Sequence, residues 1–121
     1  MNATTHDYNV TLRVNLIEKI NDMPAGLPAK EEKARVKEII AGRHNDSMTN
    51  IKPRIVFHYT DPDTNLKELS IEVTGHVKVT VSASCEAAAS LPAIKAACDL
   101  DYGKDPYVID ITPVDYELAK A

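Results

Sequence analysis

Tryptophan is absent from this 121-residue chain, phenylalanine occurs once, and there are four glycines and two cysteines. With so few large aromatics, the core must be built from Val, Ile, Leu and Ala. So few glycines cannot build a phosphate-cradling loop of the usual kind, and no GxGxxG, Walker or GxSxG pattern occurs. No run approaches the roughly 18 apolar residues that a membrane helix needs. The start, "MNATTHDYNV", lacks a basic segment followed by an apolar one, so no secretory signal is expected. Cys85 and Cys98 form no CxxC, and no histidine stands at zinc-finger spacing from them. They read as reduced thiols of a cytoplasmic protein, small residues suited to burial. A disulfide between them requires two short helical segments to bring them together. The histidines show neither His-x-His nor HExxH spacing, so neither a metal nor a cofactor is expected.

The net charge is −4, and it is unevenly placed. Residues 1–98 carry 12 basic and 12 acidic side chains. The excess lies in residues 99–121, where Asp99, Asp101, Asp105, Asp110, Asp115 and Glu117 outnumber Lys104 and Lys120. An acidic end argues against nucleic acid, which needs a basic footprint to neutralise phosphates. It suits docking on a basic protein surface, and Asp99, Asp101, Asp105, Asp115 and Glu117 are the candidate partner-binding residues. The stretch "DLDYGKD" (99–105) also resembles the opening of a calcium loop. Gly103 stands where the third oxygen ligand belongs, however, and position twelve is Asp110 rather than a bidentate Glu. A helix end followed by a turn fits better.

Periodicity gives the elements. Tyr8, Val10, Leu12, Val14 and Leu16 alternate with polar residues and predict a half-buried strand. "NDMPAGLP" (21–28) predicts a loop. Residues 28–41 predict a helix, with Pro28 at its first position, Glu31 and Glu32 in the first turn, and Gly42 at its end. Val36, Ile39 and Ile40 form its apolar stripe, and the remaining charges are expected to face solvent. "RHNDSMTN" (43–50) reads as a polar loop.

Residues 53–84 read as three antiparallel strands. "TDPDTN" (60–65) is one turn between them and Thr74-Gly75-His76 the other, with Gly75 available for positive φ. This register sets Phe57 opposite Leu69, Ile55 opposite Ile71, and Val73 opposite Val77. It also sets His58 opposite Glu68, with Ser82 beyond, on a polar sheet face that carries Arg54 and Glu72. In the alanine-rich segment 84–98, Pro92 predicts a break near Ser90–Leu91. Tyr107, Ile109 and Ile111 predict a last strand. Thr112 and Pro113 then predict a short terminal helix through Leu118.

The expected architecture is one α+β domain spanning 1–121. It has a mostly antiparallel sheet of about five strands, with two helical segments on one face, in the order β-α-β-β-β-α-β. Helix, three strands and helix over 29–98 is also the element order of a double-stranded RNA-binding domain. Ser84-Cys85-Glu86-Ala87 lacks the basic helix start that such a domain needs. An RNA-recognition sheet needs aromatics on its open face, where this register places Arg54, His58, Glu68 and Glu72.

A histidine oriented by a carboxylate is a candidate general base, and Ser82 a candidate hydroxyl. Such rows are also common on solvated sheets. The lack of a stronger catalytic constellation favours a non-enzymatic acidic binding protein that occupies a protein partner. An inhibitor or adaptor of phage or mobile-element type fits, with the polar sheet face available for a homodimer. The competing reading is a small-molecule site, a ligand sponge or weakly marked enzyme, using Arg54, His58, Tyr59 and Glu68.

Overall fold

The computed structural model describes residues 4–102 and 106–119. The elements are β1 (His6–Pro24), α1 (Ala29–His44), β2 (Thr49–Asp61), β3 (Leu66–Ala83), α2 (Glu86–Cys98) and β4 (Tyr107–Leu118). The class is α+β as the periodicity predicts, but the sheet has four strands rather than five, ordered β2-β3-β1-β4. Every neighbouring pair is antiparallel. Each half of the chain leaves a gap between its own two strands that a strand of the other half fills, the split β-α-β arrangement.

β1, one of the two central strands, follows directly from its alternation. Tyr8, Val10, Leu12, Val14 and Leu16 are all buried, while Arg13 on the opposite face is exposed. The strand continues beyond the expected loop start at Asn21, with a bulge between Ile20 and Met23 and Asp22 at φ 63°. Side chains from both helices join one core with the inner face of the sheet: Val36 and Ile40 of α1, and Ala89, Ala93 and Ala97 of α2. The other face of the sheet has no covering element among the described residues.

Three expected breaks are absent. Thr74-Gly75-His76 is not a turn; β3 runs straight through it. Leu69, Ile71, Val73 and Val77 share one parity, which a three-residue turn and an unbroken strand satisfy equally. The long partner β1 decides between them by pairing Leu16 with Val73, Val14 with Gly75 and Leu12 with Val77. Gly75 answers to crowding instead, since a Cβ there would overlap the Met48 Cε and stand 3.3 Å from the Thr49 carbonyl oxygen.

Pro92 lies inside a continuous α2 rather than dividing it. The ring is on the exposed side, and Ala89, Ala93 and Ala97 recur every four residues on the buried side, so packing outweighs the lost hydrogen bond. Pro113 does not start a helix. It lies in β4 opposite Leu12, on an outer strand where a missing donor is tolerated.

α1 likewise outruns its expected end at Gly42 and closes at His44. Its buried stripe is Glu32, Val36, Ile40 and His44, so the apolar centre is bounded by a polar residue at each end. Glu32 is therefore not solvent-facing; its carboxylate accepts from Lys67 Nζ at 3.0 Å. The expected turn after β2 is present: Asp61 Oδ1 accepts from the Asp63 amide at 2.9 Å, and Asn65 takes φ 57°. Cys85 and Cys98 are exposed rather than buried. They bracket one 13-residue helix, so about 20 Å separates them, far beyond disulfide reach.

Candidate functional site

The expected His58–Glu68–Ser82 row does not form. A bulge at Val56 shifts β2 by one residue against β3, so Ile55 still pairs with Ile71 but His58 stands opposite Leu69 and Tyr59 opposite Glu68. Leu69 is a core residue. His58 thus points to the helix side of the sheet and Glu68 to the uncovered side. Because β3 is one strand, Ser82 lies 14 positions along it from Glu68, about 46 Å away. Ser82 instead donates to Asp7 Oδ1 at 2.6 Å. Glu68 pairs with Lys19 at 3.1 Å.

The other candidates fall in separate places. Arg54 and Glu72 do share a row, and Arg54 Nη2 donates to Glu72 Oε1 at 2.8 Å. Tyr59 and Glu68 line a shallow hollow of about 200 Å³ that His58 does not border. Asp99 caps the C-terminus of α2, with Asp101 just beyond it. Asp115 and Glu117 lie instead on β4, opposite Thr11 and Asn9 on the uncovered face. Asp105 lies outside the described residues. Among the described residues the acidic segment is therefore two groups, one at the end of α2 and one on β4.

The uncovered face is the largest feature that these residues share. The Val56 bulge that separates His58 from Glu68 also turns Phe57 onto this face, opposite Ser70. Phe57, Tyr59 and Tyr107 are 63%, 55% and 73% exposed. One row crosses all four strands as Arg54, Glu72, Ile17 and Tyr107. Towards the other end the face turns polar: Thr80 Oγ1 donates to Asn9 Oδ1 at 2.7 Å, beside Glu117. Val56, Ile109 and Val114, each bulged out of an outer strand, are exposed apolar side chains.

Sequence reading missed one polar cluster altogether. Glu18 shares the inner face of β1 with Leu16 and Ile20, and it is 5% exposed. Its carboxylate meets His44 Nε2, and Arg43 Nη1 lies 3.4 Å from its other oxygen. Arg43 also donates to the Lys19 carbonyl oxygen at 3.1 Å. His44 has no exposed surface and its Nδ1 has no hydrogen-bond partner. A pair so enclosed cannot meet substrate, so it is a structural contact. The one signal for it was an acidic residue at an inward position of the first alternating strand.

No protein-family model matches this chain, and neither a curated protein nor a solved structure matches it.

Proposed function

We propose that the protein is a non-enzymatic binding protein that acts by occupying a protein partner, and that the partner docks on the uncovered face of the sheet. The observation that carries this reading is the exposure of Phe57, Tyr59 and Tyr107 on a face with no covering element among the described residues. Aromatic side chains of this kind are enriched at protein interfaces, where a rigid ring buries much area at little entropic cost.

Exposed aromatics on an open sheet are also what an RNA-recognition sheet needs, and the expectation that this face lacks them falls with the shifted register; the charges around them are what favour protein over nucleic acid. Asp7, Glu68, Glu72, Asp110, Asp115 and Glu117 share this face with Arg13, Lys19, Lys52, Arg54 and Lys78, a mixed surface without a basic track. Asp110, Asp115 and Glu117 lie together on β4, so the partner's matching edge is basic. A second copy of the chain is the alternative occupant of the same face.

The test is affinity capture at low salt with three proteins: the native chain, Phe57→Ala/Tyr59→Ala/Tyr107→Ala, and Asp115→Lys/Glu117→Lys. A stoichiometric protein lost from the aromatic variant, and held less firmly and with less salt dependence by the charge variant, supports the reading. A partner captured equally by all three rejects it. Light scattering of the purified chain separates the homodimer from a foreign partner.

A further inference from the structure

A groove of about 530 Å³ runs between α1 and the outer strand β2, on the helix side of the sheet. Lys33, Val36 and Lys37 line it from the helix, and residues 51–55 line it from the strand. Its charge inverts that of the chain. Lys33 and Lys37 border it from the helix in a protein of net charge −4, Lys52 and Arg54 line it from strand positions that face the uncovered side, and no carboxylate lines it. Arg54 is engaged by Glu72, but Lys33, Lys37 and Lys52 make no ion pair among the described residues. Such a rim is complementary to an anion, and lysine ammoniums serve as mobile point charges for a phosphate or carboxylate head.

The floor excludes several ligand classes. It is built from Val36, Ile51, Pro53 and Ile55, of which Val36 belongs to the core and Ile51 and Ile55 pack against it. It holds no aromatic ring for stacking a base, and no hydroxyl, amide or carboxylate side chain for a sugar or an amine. Pro53 occupies the middle of the strand segment. A proline is tolerated in a sheet where its nitrogen faces away from the neighbouring strand, so it leaves the free edge without a donor there. That gap opposes addition of a peptide strand and keeps the floor apolar. The volume lies in the range of small-molecule sites.

We propose that this groove binds a small anionic amphiphile, an aliphatic chain with a phosphate or carboxylate head, taken from solution rather than from a bilayer. Lys33 and Lys37, one helical turn apart, hold the head; Ile51, Pro53 and Ile55 hold the chain. Lys33 and Lys37 stand on the helix side of the sheet, away from Phe57 and Tyr107, while Lys52 and Arg54 border both the groove and the proposed partner surface; the variants that test the two sites share no residue.

The experiment is calorimetric titration of the full chain with hexyl and octyl phosphate below their micellar concentrations, with octanol, inorganic phosphate and vesicles containing an anionic phospholipid alongside. Octyl phosphate is expected to bind about 15-fold tighter than hexyl phosphate, since each buried methylene contributes roughly 0.8 kcal/mol. Octanol and inorganic phosphate should each bind at least about tenfold more weakly than octyl phosphate, and Lys33→Glu/Lys37→Glu should weaken octyl phosphate by at least about tenfold. Both lysines are exposed, so that variant should keep its circular dichroism and unfolding midpoint. Phe57→Ala/Tyr107→Ala should bind octyl phosphate unchanged, which separates failure of this site from failure of the partner surface. No binding of octyl phosphate, affinity indifferent to chain length or to the lysines, or binding only to anionic vesicles would overturn the proposal.

Discussion

Glu18 and His44, 26 positions apart in sequence, are joined inside the protein, where the middle of the sheet meets the end of α1. Glu18 comes from β1 and His44 from the last turn of the helix, so this contact fixes where α1 ends against the sheet. Removing Glu18 leaves the buried His44 ring with neither nitrogen partnered, and removing His44 leaves the buried Glu18 carboxylate with only the longer Arg43 contact. Glu18→Ala or His44→Ala should each lower stability by about 1–3 kcal/mol in urea unfolding, the cost of a buried polar group left without its hydrogen bond. The joint replacement Glu18→Leu/His44→Leu should cost much less than the sum of the two single changes. An additive result would show that the pair is not coupled.

Gly75 offers a second, independent check on packing. Gly75→Ala should destabilise by about 1–3 kcal/mol, because the new methyl group competes with the buried Met48 side chain for one space. In a Met48→Ala background the same change should cost less, since the space is then vacant. A double-mutant cycle by chemical denaturation measures the difference.

Pro92 lies in the helix interior with its ring exposed. Pro92→Ala should therefore stabilise the protein by about 1–3 kcal/mol, by restoring one helical hydrogen bond and removing the ring clash. Unchanged or lower stability would indicate that the ring makes a contact of its own.

Tyr102 titrates far from its ordinary range. Burial, and secondarily the nearby Cys98, push its hydroxyl up to about 12. That hydroxyl donates to the Ala97 carbonyl oxygen at 2.6 Å. The unfolded chain ionises this group near pH 10 and the folded chain near 12. Its stabilising contribution is thus complete below about pH 10 and is lost as pH rises from 10 to 12. Absorbance titration of the folded protein should show a late-ionising component from Tyr102. Tyr102→Phe should remove that late component and cost about 1 kcal/mol at neutral pH.

The candidate site was less legible than the fold. Arg54 beside Glu72 and Ile55 opposite Ile71 followed from simple alternation. One extra residue at Val56 then reversed the facing of everything after it in β2. That reversal separated His58 from Glu68 and exposed Phe57, which alternation had placed in the core. A bulge of this kind carries no composition signal here, since Val56 is an ordinary strand former.

Local pattern by itself determined the α+β class, the inward face of β1, the Val36 and Ile40 stripe and the turn after Asp61, because each follows from spacing within a few residues. Tertiary structure alone decided that β3 crosses Gly75 without turning, that α2 continues past Pro92, that β4 passes through Pro113, and that Glu18 meets His44. In each case the alternatives are close in local free energy, or the local penalty is only a few kcal/mol. Pairing along a 19-residue central strand and burial in one shared core then outweigh the local preference.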